Sequence, residues 1–498
     1  MNQKDDNLKK NTLLGLAWTF MERIGTQVVS FIVSIVLARL LLPEQYGVIA
    51  FITIIINLLD IFVTSGFSSA LIQKKDADEI DFSSVLFFNI AFSAVLYVIL
   101  FFSAPLIAKL TDFDNLVLII RVMGIGILFS AVSSVIHALL TRKMLFKKFF
   151  WASFGGTAAS AVVGITLAVK LEPEFGVWAL VAQYLTNIVI DAIILFIVAK
   201  WIPKLKFSFK RLKQLLSYGW KVLVSNFINA VFLDIRTFVI GIGYSASDLA
   251  FYNKGRQFPN LAVSNINSTI QSVLFPVLSK KQDDKSEIKR IMRRAIKTSA
   301  YVILPVVFGL ASVADPLIRV ALGEKWLECV PYLQIACATF SLQPLQTANL
   351  QAIYALGRSD IALKLEVIKR TFSLIAVIVS CFFGVKAIAI AGVVITLFSF
   401  IVNVFPNRKL FNYGYLEQIK DILPFVLMSM VMAGAVIGIG FIPINIYLKL
   451  VIQVLSGVII YVALSMIFKV ESFRYILNII KPFFAKIISK FKKTKNSD

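Results

Sequence analysis

The chain is 498 residues long, 58% of them hydrophobic, with a formal net charge of +23 and a mean hydropathy of +0.82. That much apolar surface excludes a soluble multidomain protein and calls for lipid, where a helix crosses with about 20 apolar residues. The charge would suit nucleic acid, but its placement excludes that partner, because the cations alternate with apolar stretches in a membrane pattern.

Fourteen spans are predicted in chain order. Lys4, Lys9 and Lys10 precede spans at roughly 12–38 and 47–72. The turn between them, Pro43-Glu44-Gln45-Tyr46-Gly47, carries no cation. The first span holds Glu22 and Arg23 and no Ala-x-Ala site, so it is expected to stay as a structural helix rather than leave as a signal peptide. Lys74 and Lys75 precede spans at roughly 83–108 and 117–140. Arg142, Lys143, Lys147 and Lys148 precede roughly 151–169 and 177–199, which flank Glu172-Pro173-Glu174. Lys200, Lys204, Lys206, Lys210, Arg211 and Lys213 precede roughly 216–242 and 257–279.

Seven cations from Lys280 to Arg294 (Lys280, Lys281, Lys285, Lys289, Arg290, Arg293, Arg294) precede spans at roughly 297–321 and 331–356, with Glu324 on the far side. Arg358 and Lys364 accompany roughly 362–383 and 387–405, and Arg408, Lys409 and Lys420 precede roughly 422–442 and 445–468. The tail ends in Lys490, Lys492, Lys493 and Lys495. Even-numbered connections are basic and odd-numbered ones are not, which predicts both termini on the cytoplasmic side. The basic belt suits anionic headgroups. The segments 204–221 and 473–493 mix Leu, Phe and other apolar residues with cations, and read either as helices in the headgroup plane or as solvated connectors.

A weak internal repeat divides the chain. Gly15-Leu16-Ala17-Trp18 opens the first span and Ser217-Tyr218-Gly219-Trp220 the seventh. The first exits through Leu37-Ala38-Arg39-Leu40-Leu41-Leu42-Pro43-Glu44-Gln45-Tyr46-Gly47, and the seventh through a stretch from Gly241 to Tyr252. Ala138-Leu139-Leu140-Thr141-Arg142 closes the fourth and Ala355-Leu356-Gly357-Arg358 the tenth. Two six-span halves running in the same direction are the pattern of parallel-repeat carriers, with substrate held between the lobes. The expected division is an amino-terminal lobe over 1–200, a second lobe over 201–420, two extra helices over 421–470 and a basic amphipathic tail over 471–498.

Function should sit where the chain accepts a costly residue, since a charge at mid-bilayer costs about 2.5–3.5 kcal/mol on insertion scales. The candidates are Glu22, Arg23, Asp60, Asp191, Lys221, Asp234 and Arg236. Arg23 and Asp60 lie about 15 Å deep on oppositely running helices, so they are expected to pair or to share a water-filled cavity. Polar stripes reinforce a hydrophilic path: Asn57, Asp60, Thr64 and Ser68; Ser130, Ser133, Ser134 and His137; Asn260, Ser264, Asn267, Ser268 and Gln271; Gln343, Gln346, Thr347, Asn349 and Gln351. Interhelical hydrogen bonding is the competing account of these stripes.

His137, the sole histidine, reads as a packing residue more readily than as a proton relay. Pro276, Pro305 and Pro344 are candidate bending points or ordinary kinks. Cys329, Cys337 and Cys381 show neither metal nor disulfide spacing. No nucleotide loop, metal set or cofactor motif is present, so no enzyme chemistry and no cofactor is expected.

The opening Gly15-Leu16-Ala17-Trp18, the run from Leu37 to Gly47 and Ala355-Leu356-Gly357-Arg358-Ser359-Asp360 resemble the polysaccharide-transport (Wzx-type) flippases of the multidrug/oligosaccharidyl-lipid/polysaccharide superfamily. Ala250 stands where relatives often have Gly. The resemblance implies an all-α membrane fold of about fourteen helices, two six-helix lobes around a cavity plus two extra helices. It implies export of an undecaprenyl-pyrophosphate-linked oligosaccharide from the inner to the outer leaflet of the bacterial cytoplasmic membrane by alternating access. The extra helices would then offer a groove for the prenyl tail. A pyrophosphate needs a cation, and Arg matches phosphate geometry, which points first to Arg23 and then to Lys221 and Arg236. Asn267, Gln271 and Gln346 would bind sugar, and Glu22, Asp60, Asp191 and Asp234 would couple ions. Lipid-linked glycan and membrane lipids are the implied partners, and association with a polysaccharide polymerase and glycosyltransferases stays open. A multidrug/cation antiporter of the same superfamily, a membrane enzyme acting on lipid-linked sugars, and a scaffold for the polysaccharide machinery are the alternatives.

Overall fold

In lipid every backbone N–H and C=O must be satisfied within its own segment or a closed barrel, so apolar runs of this length fold as helices. The computed structural model describes residues 3–111, 113 and 115–478, with side chains from Trp18 onward. The described chain is helical, with no strand among the described residues. The cations at Lys4, Lys9 and Lys10 and those from Lys490 to Lys495 lie outside the described side chains.

The chain forms two compact units, Met1–Asn253 and Lys254–Asp498. The first contains α1 (Gln3–Leu40), α2 (Pro43–Thr64), α3 (Gly66–Gln73), α4 (Glu79–Ala108), α5 (Leu116–Gly124), α6 (Gly126–Arg142), α7 (Phe146–Lys170), α8 (Val177–Ala199), α9 (Phe209–Gly243) and the start of α10 (Ala246–Ser279). The second contains the rest of α10, then α11 (Lys285–Ser312), α12 (Ala314–Ala321), α13 (Val330–Ser341), α14 (Gln343–Ala355), α15 (Ser359–Ser380), α16 (Val385–Phe411), α17 (Tyr415–Gly440) and α18 (Ile446–Ile467).

Among the described residues, twelve segments are long and apolar enough to cross a membrane. Two of them are broken helices: α2 and α3 meet at Ser65, and α5 and α6 at Ile125, which lies between Gly124 and Gly126. The expected spans at 331–356 and 362–383 are not among the twelve. The first of these is interrupted at Leu342, where Pro344 enters the first turn of α14. The second is the unbroken helix α15, which carries Lys364, Glu366, Lys369 and Arg370. Pro276 and Pro305 sit inside continuous helices.

In the first unit, α9 runs antiparallel along α2 and α3. Ala246 meets Gly47, Phe238 stacks on Phe51 at 5.9 Å, Phe227 packs on Phe62 at 5.1 Å, and Gly219 meets Gly66. The seam is closest at its two glycine crossings. A Cβ on Gly219 would stand 2.7 Å from the Gly66 carbonyl oxygen, so small residues are what allow the backbones to touch.

The segment before α9, placed by sequence between two lobes, is sewn to α4. The Lys204 and Ser208 amides donate to the hydroxyls of Ser83 and Ser84, each at 3.0 Å, and Trp201 packs edge-on against Phe82. Asp81, fully buried, takes both hydrogen bonds of Lys74 at 2.7 and 2.8 Å. The Arg142 guanidinium donates to the carbonyls of Leu71, Lys74 and Lys75, closing the end of α6 over the same turn.

Asp78 caps α4, accepting from the amides of Ile80 and Asp81 at 3.1 Å. The Arg211 guanidinium donates to the same carboxylate, which holds the Asp78 carboxyl below the usual range. A depressed carboxyl contributes stability that is present above the unfolded value of about 3.9 and is lost as pH falls through the folded value. Asp78→Ala, which removes the cap, should therefore lower stability by about 1 kcal/mol at neutral pH, measured by thermal unfolding in detergent, and the gap to the parent protein should narrow below about pH 4.

The second unit is centred on α11, which packs against α17. The Tyr301 hydroxyl pairs with Ser465 at 3.0 Å, and the Tyr461 hydroxyl donates to the Tyr301 carbonyl at 2.9 Å. Tyr301 also meets Phe425 edge-on. Helices α17 and α18, expected as an addition to the second lobe, thus share its core.

Candidate functional site

The first unit holds a polar cavity of about 340 Å³ among α2, α6 and α8. Its lining follows from helical spacing. Asp60 and Thr64 lie four residues apart on α2, Ser68 follows on α3 past the break at Ser65, and Ser130, Ser134 and His137 lie within two turns on one face of α6. Asn187 and Asp191 do the same on α8. Thr64, Ser68, Ser130, Ser133, Ser134, His137, Asn187 and Asp191 line the space.

Asp60 stands at its edge. The hydroxyls of Ser130 and Thr64 flank its carboxyl group, yet its Oδ1 is buried and accepts no hydrogen bond. Across the cavity, His137 Nε2 lies 3.9 Å from Asp191 Oδ2. The imidazole stacks on Phe149 at 4.8 Å with the rings 6° from parallel, which fixes its plane while its edge faces Asp191. The Asn187 amide donates to Thr157 and Ser160. One carboxylate, an imidazole and several hydroxyls line the pocket, with the Asp60 carboxyl buried behind Ser130 and Thr64, a set that can bind a proton or a small cation.

The sequence-derived residues are distributed unevenly around this cavity. Asp191 is brought together with His137, while Asp60 lies against two residues of the same lining, Ser130 and Thr64. The expected pairing of Arg23 with Asp60 is not made, because α1 packs on α7 while Asp60 faces α6 and α8. Glu22 Oε1 instead accepts from the Ser153 hydroxyl on α7 at 3.1 Å, and Arg23 is exposed on α1.

On α9, Lys221 is exposed, and Asp234 and Arg236 are half-buried. Lys221 and Arg236 are about 22 Å apart along that helix, so a single pyrophosphate can reach one of them and not both. Asp234 and Arg236, two positions apart, point to different sides of it.

In the second unit the amide stripes are largely spent on packing. Asn267, buried, accepts from the Thr347 hydroxyl at 2.6 Å. The Gln346 amide donates to the Thr396 carbonyl at 3.0 Å. Gln271 remains exposed. Asn349 exchanges hydrogen bonds with Gln418 at 2.8 and 2.9 Å and accepts from Asn407 at 2.7 Å. Interhelical hydrogen bonding therefore accounts for much of the tenth-span stripe. Asn407 and Gln418 were missed by sequence reasoning, as was Asn187. Each is an amide at or near the end of an apolar run or within one, the same signal that picked out the stripes.

Comparison with known proteins agrees with this architecture. Residues 36–331 match a family described as "Polysaccharide biosynthesis protein". The succinoglycan biosynthesis transport protein ExoT of Rhizobium meliloti (strain 1021) is 24% identical over 324 residues, 65% of each chain. The teichuronic acid biosynthesis protein TuaB of Bacillus subtilis (strain 168) is 25% identical over 362 residues, 72% of this chain and 74% of that one. Among solved structures, the lipid II flippase MurJ in an inward closed conformation superposes with a TM-score of 0.73 at 19% identity, covering 92% of this chain and 98% of that one. The chain therefore has the fold of that flippase, and it belongs to the polysaccharide biosynthesis protein family.

Proposed function

We propose that this protein moves an undecaprenyl-pyrophosphate-linked oligosaccharide from the inner to the outer leaflet of a bacterial cytoplasmic membrane, by alternating access, for surface polysaccharide synthesis. The observation that carries the reading is the family match over 36–331, supported by relatives named for succinoglycan transport and teichuronic acid biosynthesis. The exposed guanidinium of Arg23 is the first choice for the pyrophosphate, because Arg engages phosphate oxygens in pairs. Lys221 or Arg236 is the second cation, and Gln271 is the stripe amide left outward for sugar hydroxyls. The cavity of Asp60, His137 and Asp191 is assigned to coupling, with proton or sodium binding there linked to the transport cycle.

Proteoliposomes carrying a fluorescent polyprenyl-pyrophosphate oligosaccharide in one leaflet test this. Protein-dependent appearance of the label in the other leaflet is expected, and Arg23→Ala should slow it on the order of tenfold or more, the value of a charge-assisted hydrogen bond. Asp60→Asn and Asp191→Asn should remove the response to an imposed proton or sodium gradient. Flipping unchanged in Arg23→Ala would reject the site and keep the activity.

The acidic cavity favours one competing reading, a multidrug/cation antiporter of the same fold. Gradient-driven efflux of a cationic dye, without movement of the glycolipid, would establish it.

A further inference from the structure

The second unit carries a basic recess beside α17 and α18, the two extra helices expected to offer a groove for the prenyl tail. At the end of α11 that the charge pattern assigns to the cytoplasm, a recess of about 420 Å³ is lined by Arg290, Arg293, Arg294, Lys297, Thr298 and Tyr475, among others. A second recess of about 570 Å³ lies between α17 and α18, and its walls include Leu423, Phe425, Leu427, Val431, Leu464 and Phe468. The two are continuous, since Lys297, Glu471 and Ser472 line both. A basic mouth thus opens directly onto an apolar groove.

The charge at the mouth is a true surplus. Arg290, Arg293, Arg294, Lys297, Lys420 and Lys469 stand against Asp421 and Glu471, six cations to two carboxylates. Asp421 is occupied by Arg293 at 2.7 Å and Lys297 at 3.2 Å, and Arg290 is held by Glu287. Arg294 lies over the Tyr475 ring at 4.3 Å and has no carboxylate partner among the described residues. That leaves a guanidinium oriented by an aromatic face and available to an anion. The groove is as specific in shape. Leu423, Leu427 and Val431 fall on one stripe of α17 and are each about half exposed. They cover about 12 Å of helix, running into the membrane from the level of Lys420.

We infer that this pair of recesses binds one anionic diacyl phospholipid, with its phosphate at Arg294 and an acyl chain along Leu423, Leu427 and Val431. Charge complementarity selects an anionic headgroup, at about 1 kcal/mol per cation near the surface. The apolar groove selects a lipid over a free phosphate. The mouth offers a sugar chain little, since its hydrogen-bonding groups are mostly cations and its aromatic ring is already covered by Arg294. The site rests on its lining alone and is independent of the cargo proposed above.

The test is native mass spectrometry of the full chain in neutral detergent, titrated with dioleoyl-phosphatidylglycerol, dioleoyl-phosphatidylcholine, undecaprenyl phosphate or inorganic phosphate. One phosphatidylglycerol should be retained about fivefold more tightly than phosphatidylcholine, as expected for one cation on the phosphate. Arg294→Ala should weaken it about fivefold, and Leu427→Trp, which fills the groove without touching the charge, should weaken it by a similar factor. Equal retention of the two phospholipids, or indifference to both variants, overturns the site. Tighter binding of undecaprenyl phosphate, lost in the same variants, overturns the phospholipid as occupant. Competition by inorganic phosphate at matched concentration overturns the role of the groove.

Discussion

Gly219→Leu is expected to cause a large loss of folded protein. The Gly219 backbone faces the Gly66 backbone, and even a methyl group would come within 2.7 Å of the Gly66 carbonyl oxygen. A carbonyl in a helix cannot swing aside as a flexible side chain can. The substitution must push α9 off α3 and loosen the Phe227–Phe62 and Phe238–Phe51 contacts along the same seam. Overpacking usually costs about 1–3 kcal/mol, and a rigid backbone contact belongs at or above the top of that range. Gly243→Ala is the matched control, since a Cβ at that end of α9 meets nothing within 4 Å. Thermal unfolding of the purified protein should show a large loss for Gly219→Leu and none for Gly243→Ala. Equal midpoints for the two would mean that the seam does not hold the helices.

Asp421→Ala should have the largest effect in the second unit. This carboxylate is buried at 3% exposure. It takes two hydrogen bonds from Arg293 at 2.7 and 2.9 Å, an ion pair from Lys297 at 3.2 Å and the Tyr413 hydroxyl at 2.8 Å. Tyr413 is itself fully buried. Breaking a buried pair by removing one partner costs about 3–5 kcal/mol, but Arg293 and Lys297 are partly exposed and recover water. About 2–4 kcal/mol is therefore expected, with Tyr413→Phe costing about 1 kcal/mol. A ratiometric unfolding titration of both variants checks the order, and a Tyr413→Phe loss equal to that of Asp421→Ala would assign the effect to the hydroxyl rather than to the cations.

The alternation of apolar and basic segments made the membrane fold legible, because lipid imposes helices and the charges mark their ends. Asp60 and Asp191 were legible as costly residues, and the meeting of Asp191 with His137, with Asp60 behind Ser130 and Thr64, follows from how α2, α6 and α8 pack. His137 itself was read as packing. It does pack, on Phe149, but it also turns an edge to Asp191, and one residue type in one sequence cannot distinguish the two. Arg23 was placed at the same depth as Asp60, but depth leaves rotation about the helix axis undetermined. Asn267 and Asn349 were rightly seen as too polar for lipid. Their partners, Thr347 and Gln418, are distant in sequence, so composition could not show that the amides are already satisfied. The side of the seam to which α9 belongs was equally hidden. A chain of basic residues from Lys200 to Lys213 looks like a free linker until the hydroxyls of Ser83 and Ser84 are found holding it.

The Gly66–Gly219 crossing also bears on biosynthesis. A ribosome makes Gly66 153 residues before Gly219. At about 5–20 residues per second, that face of α3 waits some 8–30 s for its cover. During that time the nascent chain presents a small-residue surface open to any neighbouring helix. A membrane chaperone that shields this face until α9 is inserted would guard the step at which the first unit is most open to mispairing.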